Sequence, residues 1–123
     1  MKLLIVDDST IIRSRIARLS GDQRLPAWQI VGLARNGMEA INVFMKAKPE
    51  VVTMDLTMPE MDGVECTAAM VKLNPGIKIL VVSALSDKAT ALSALKRGAQ
   101  GFLHKPFTDE QLISALQELA QPA

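Results

Sequence analysis

A chain of 123 residues, 49% apolar and 22% charged, is sized and composed for one globular domain, and that balance excludes intrinsic disorder. Its net charge of +1 supplies no field for nucleic acid or an anionic membrane, and no apolar run approaches the roughly 20 residues of a membrane span. The lone cysteine, Cys66, forms no internal disulfide and has no companion for a cysteine metal site, which fits a reducing cytoplasm.

Met1 and Lys2 precede only Leu3 to Val6, too short a run for a signal-peptide core. That run reads as a strand ending at Asp7 and Asp8, with Ser9 or Asp8 capping the helix that follows. Ile12, Ile16 and Leu19 recur at helical spacing and are expected to face the sheet. Arg13, Arg15 and Arg18 occupy the remaining positions and read as a solvated face, with a docking patch for an acidic partner as the alternative. Gly21 ends the helix region. Gln29 to Ala34 is a second strand, with Trp28 before it as a packing residue. Asn36-Gly37-Met38-Glu39 has the form of a capping box and opens a helix with Ile41, Phe44 and Met45 toward the core.

Val51 to Met54 is a short apolar run that stops at Asp55, and a turn with Pro59, Asp62 and Gly63 follows. Such a run, closed by turn signals, reads as a buried strand of a parallel sheet. Asp62 and Glu65 repeat the capping pattern for a third helix, whose inner stripe is expected to be Val64, Ala68 and Val71, and Asn74-Pro75-Gly76 ends it. Ile77 to Val82 is a fourth strand, stopping at Ser83. Ser86 or Asp87 caps a fourth helix that Gly98 closes, and its run of Ala89, Ala91, Leu92, Ala94 and Leu95 leaves an apolar face beyond the one the sheet takes. Gly101 to His104 is a fifth strand ending at Lys105-Pro106. Thr108-Asp109-Glu110-Gln111 is a capping box for the last helix, with Leu112, Leu116 and Leu119 inward.

Strands alternating with helices imply an α/β domain spanning residues 1–123, with right-handed crossovers. The expected architecture is a doubly wound five-stranded parallel sheet of order 2-1-3-4-5, flavodoxin-like (βα)5. In such sheets ligands sit beyond the carboxyl ends of the strands. The residues at those ends are Asp7 and Asp8, Asp55, Ser83 and Lys105. The first and third strands are neighbours in this order, so the carboxylates crowd one place, and a divalent cation relieves their repulsion. All-oxygen ligands favour Mg²⁺ or Mn²⁺. A hydroxyl and an ammonium across the same cleft suit a phosphoryl oxygen, so the set describes a phosphoryl site with a carboxylate nucleophile.

Taken together, LLIVDDS, MDLTMPEMDG, VVSA and LHKPF resemble the receiver domains of two-component response regulators, over Met1 to about Ala120. The resemblance implies Asp55 as phosphoacceptor, Asp8 as direct Mg²⁺ ligand, Asp7 as the acid holding metal-bound water, and the Thr57 carbonyl as a further protein ligand of the metal. It implies Ser83 as the hydroxyl that moves to the phosphoryl group, Lys105 as the lysine paired with it, a cis peptide at Pro106, and Phe102 as the aromatic switch residue. The sequence departs from the commonest pattern at Phe102, where Tyr is frequent, and carries Ser83 where Thr is also common. Apolar Leu85 stands at a position that varies widely and bears on the lifetime of the phosphorylated state.

A domain of this kind takes its phosphoryl group from a histidine kinase or a histidine phosphotransfer protein. It is a cytoplasmic signalling receiver rather than an enzyme, although it catalyses its own phosphorylation and dephosphorylation. The output is expected to be a downstream protein target bound through the fourth helix, fifth strand and fifth helix, with no nucleic acid or membrane partner. No residues are left for an output domain, so the reading is a stand-alone, chemotaxis-regulator-like protein; a receiver fragment of a longer regulator and a scaffolding receiver are the alternatives. A phosphatase of the haloacid dehalogenase kind needs a second acid where Thr57 stands. A flavin binder needs a phosphate loop after the first strand, which this sequence lacks.

Overall fold

The structure is a computed structural model, and it describes residues 1–56, 62–84 and 88–121. Strands β1 (Lys2–Val6), β2 (Gln29–Ala34), β3 (Val51–Met54), β4 (Lys78–Ser83) and β5 (Gly101–His104) alternate with helices α1 (Thr10–Leu19), α2 (Gly37–Ala47), α3 (Gly63–Leu73), α4 (Lys88–Lys96) and α5 (Asp109–Ala120). The strands form one sheet of order β2-β1-β3-β4-β5, parallel at every pairing, as the alternation predicts.

Side chains on a strand alternate between faces, and both faces of this sheet are covered. Leu4, Val6, Ile79 and Val81 belong to a core layer shared with Ala40 and Phe44 of α2, Cys66 and Met70 of α3, and Ala94 of α4. Leu3, Ile5, Leu80 and Val82 belong to a second layer with Ile16 and Leu19 of α1 and Leu112, Ile113, Leu116 and Leu119 of α5. Coverage on both faces is why β1, β3 and β4 are apolar without alternation. On β2 the register slips between Leu3 and Leu4, passing over Val31. Its neighbour Gly32 lies so close to α2 that a Cβ there would meet Val43 Cγ1 at 2.7 Å.

Caps hold the helix starts. The side chains of Ser9, Asn36, Asp62 and Thr108 accept from the N–H groups of Ile12, Glu39, Glu65 and Gln111. At α5 the Gln111 side chain returns the bond, completing a capping box. At α2 the Glu39 carboxylate reaches back to the Arg35 N–H instead of that of Asn36, at 3.2 Å. The expected Ser86 or Asp87 cap of α4 lies outside the described residues. At the far end of α4 the chain turns through Gly98, whose φ of 115° is a left-handed conformation that suits glycine.

Several inner faces differ from the sequence reading. Met45 is 60% exposed, because α2 buries Gly37, Ala40 and Phe44 and the next position around the helix turns outward. On α3 the buried line is Gly63, Cys66, Thr67 and Met70; Val64 and Val71 pack along its margin, and Ala68 is half-buried. Strand β4 runs one residue further than the apolar run, to Ser83, which pairs with His104.

Candidate functional site

The ladder sets the position of the first acids. The Asp7 N–H donates to the Ala34 carbonyl at 3.0 Å, and the Asp55 N–H donates to the Val6 carbonyl at 2.9 Å. Each acid is therefore the first residue past its strand, still fastened to its neighbour, and the two strands are adjacent. Asp8 follows at the exposed rim, whereas Asp7 and Asp55 are buried. Carboxylate oxygens of Asp7, Asp8 and Asp55 all lie within 4.8 Å of one another.

Lys105 closes the cleft from β5. Its N–H donates to the Ser83 carbonyl at 2.8 Å. Its ammonium donates to Asp7 Oδ2 at 2.7 Å and stands 3.8 Å from Asp55 Oδ2. The Lys105–Pro106 peptide is cis, as expected. The other Asp7 oxygen accepts from the Ser9 N–H at 2.9 Å, and the Asp7 carbonyl accepts from Arg13 Nη1 at 2.6 Å. Asp7 is thus held on three sides, with its carboxylate turned into the cluster.

Ser83 is fully buried at the end of β4. Phe102 pairs with Val81 on β5 and is half-buried against the core layer beneath α2, α3 and α4. Thr57 lies outside the described residues. On α4, Ala94 is buried and Leu92 and Leu95 are 54% and 39% exposed, so the helix does leave an apolar face to solvent.

Two residues near the site were not legible as parts of it. A Cβ at Gly63 would overlap the Asp55 carbonyl oxygen and stand 2.5 Å from Leu56 Cα, so α3 begins directly against the Asp55 backbone. The signal was a glycine at the first position of a helix, where propensity argues against it. Arg15, read as part of a solvated face, instead reaches the loop after Lys105: Nη2 donates to the Phe107 carbonyl at 2.8 Å.

Three carboxylates face one ammonium here, and the donors are all hard oxygens, a set that fits a divalent cation such as Mg²⁺. The same cleft sets a carboxylate beside a cation, an arrangement chemically able to accept a phosphoryl group.

The chain matches the family model of the response regulator receiver domain over residues 3–117. It is 37% identical over 121 residues to the chemotaxis protein CheY of Listeria monocytogenes, covering 98% of this chain and 99% of that protein. It is 35% identical over 120 residues to CheY of Thermotoga maritima, covering 98% of each. Among solved structures, a LuxR-family two-component response regulator from Aurantimonas superposes with a TM-score of 0.85 at 31% identity, over 97% of this chain and 84% of that one. A chain of a Borrelia burgdorferi CheX-CheY-BeF3-Mg complex shares the fold, with a TM-score of 0.91 at 24% identity over 99% of this chain and 90% of that one. Fold, family model and full-length relatives agree: this chain belongs to the response regulator receiver domains of two-component signalling and is CheY-like.

Proposed function

We propose that the chain is a phosphorylation-activated receiver that takes a phosphoryl group on Asp55. The observation that carries this is the Asp7, Asp8 and Asp55 cluster with the Lys105 ammonium beside it. The donor is the phosphohistidine of a histidine kinase or a histidine phosphotransfer protein. An Asp55 oxygen attacks the phosphorus, the P–N bond breaks, and the imidazole leaves with its electron pair and takes a proton. Hydrolysis of the resulting acyl phosphate restores the carboxylate.

Asp8, Asp55 and the Thr57 carbonyl are the residues proposed to hold Mg²⁺, with Asp7 accepting from a water of the ion; once bound, the ion would supply positive charge to offset the negative charge developing on the phosphoryl oxygens in transfer. The Lys105 ammonium is hydrogen-bonded to Asp7 at 2.7 Å and stands 3.8 Å from Asp55, beyond hydrogen-bond reach, so a short movement lets it meet a phosphoryl oxygen on Asp55. The Ser83 hydroxyl is the second group proposed to meet it. Its movement leaves space that Phe102 fills by turning inward, altering α4, β5 and α5, where Leu92 and Leu95 are exposed to a protein target. Phosphate shifts this equilibrium only through its differential affinity for the two states.

Acetyl phosphate with Mg²⁺, read by intact-protein mass, tests the proposal. A single phosphoryl adduct is expected on wild type, and none on Asp55→Ala or after chelation of the metal. An undiminished adduct on Asp55→Ala overturns it.

A further inference from the structure

Lys105 is tied to the sheet by its own N–H, but the chain after it passes through Pro106, which has no N–H to donate. The next fixed point is Phe107, whose ring is buried in the core layer under α1 and α5. The peptide that follows is held at both of its polar ends: the Thr108 N–H donates to Gln111 Oε1 at 2.9 Å, within the α5 capping box, and the Phe107 carbonyl accepts from Arg15. Arg15 is the group that ties this peptide to α1. Nη2 donates to the Phe107 carbonyl at 2.8 Å, the guanidinium lies 4.4 Å from the Phe107 ring centroid, and Nε and Nη2 both donate to Asp109 Oδ1, at 3.0 and 2.8 Å. A planar fork with several donors and a stacking face makes all these contacts at once; a lysine ammonium does not.

We propose that Arg15 is a positioning residue for Lys105, holding the Phe107 peptide so that the loop presents the Lys105 ammonium to Asp7 and Asp55. The inference rests on the phosphoryl-transfer reading above. The plain alternative is a surface fastening of α1 to α5. Such pairs contribute little to stability when half-exposed, as Asp109 is. A fastening of that plain kind exists alongside: Arg24 pairs with Asp22 at 2.9 Å and with Glu110 in the first turn of α5 at 2.6 Å. Among the described residues its guanidinium donates to those two acids, so it serves as the control.

The test is the rate of Asp55 phosphorylation by acetyl phosphate in Arg15→Met, Arg24→Met, Lys105→Met and the Arg15→Met/Lys105→Met pair. Arg15→Met is expected to slow phosphorylation by about tenfold, the scale of a small misplacement of a reacting group. Arg24→Met is expected to stay within about twofold of wild type. Calorimetry should find Mg²⁺ affinity unchanged in both, since the carboxylates are untouched. The double variant should be no slower than Lys105→Met, because Arg15 acts only through that ammonium. Should Arg15→Met fail to fold, Arg15→Lys decides: charge and stem are kept, the fork is lost, and the slowing should remain. An Arg15 variant as fast as wild type overturns the proposal alone. So does a double variant slower than Lys105→Met by the full factor seen in the single. A wild type that takes up no phosphoryl group overturns the parent reading and this one with it.

Discussion

At Gly63 the site has no room for a side chain, since a Cβ would overlap the Asp55 carbonyl and the Leu56 Cα. The obstruction is backbone on both sides, so relief requires moving α3 or the end of β3. Gly63→Ala is therefore expected to lose about 2 kcal/mol of unfolding free energy or more in urea titrations, the upper part of the range for overpacking. An unchanged urea midpoint would mean the helix shifts freely. Cys66, on the same helix, is fully buried, and burial first, then the charge of Asp62, pushes its thiol from an ordinary 9.0 up to about 12. A folded value above the unfolded one means that this contribution to stability is whole below pH 9.0 and fades as pH rises toward 12. Iodoacetamide at pH 8 should leave the native protein unlabelled and label it in urea; rapid native labelling would contradict the burial. The acids, Ser83 and Lys105 were legible because each is where an apolar run stops. Arg15 was not, because its partner Asp109 is 94 residues away, and only the packing of α1 on α5 brings them together.

Helix α5 is the element most fully specified by local sequence. Its capping box is complete, and Leu112, Leu116 and Leu119 are all buried as their spacing predicts. Thr108→Ala removes the bond to the Gln111 N–H and should cost about 1 kcal/mol, read in a denaturant titration, while phosphorylation still proceeds. No loss of stability would show that solvent replaces the cap. Helices α2 and α3 were read less well because nearly every apolar residue on them qualified for the core. Two adjacent strips of a helix then compete, and the sheet contact chooses between them: Met45 loses to Phe44, and Val64 and Val71 give the centre to Cys66 and Met70. On α4 the leftover apolar face is real, with Leu92 and Leu95 exposed. Leu92→Glu should leave the fold and phosphorylation intact and weaken capture of a downstream target; a pull-down as strong as wild type would move the output surface elsewhere.

Across the whole molecule, sheet order and site follow from one constraint. Parallel strands carry their carboxyl ends to a common edge, so residues far apart in the chain meet there without further design. That is why the fold and the gathering of Asp7, Asp8, Asp55 and Lys105 at one edge were readable from spacing, while the contacts of α1 and α3 with the strand-end loops were not, since no periodicity announces them. In the proposed switch, Ser83 and Phe102 link this edge to the α4 and β5 surface. In NMR spectra, phosphorylation should shift Ala89 to Leu95 and Phe102 along with the site, and Ser83→Ala should keep the site shifts and lose most of the distant ones. Shifts confined to the neighbourhood of Asp55 would separate the chemistry from the switch. Borohydride reduction of the phosphorylated protein converts an aspartyl phosphate to homoserine, and the peptide masses then locate the phosphorylated residue. Homoserine is expected at position 55 alone. Homoserine at position 7 or 8, or none at 55 in protein that carries the adduct, would contradict phosphorylation at Asp55.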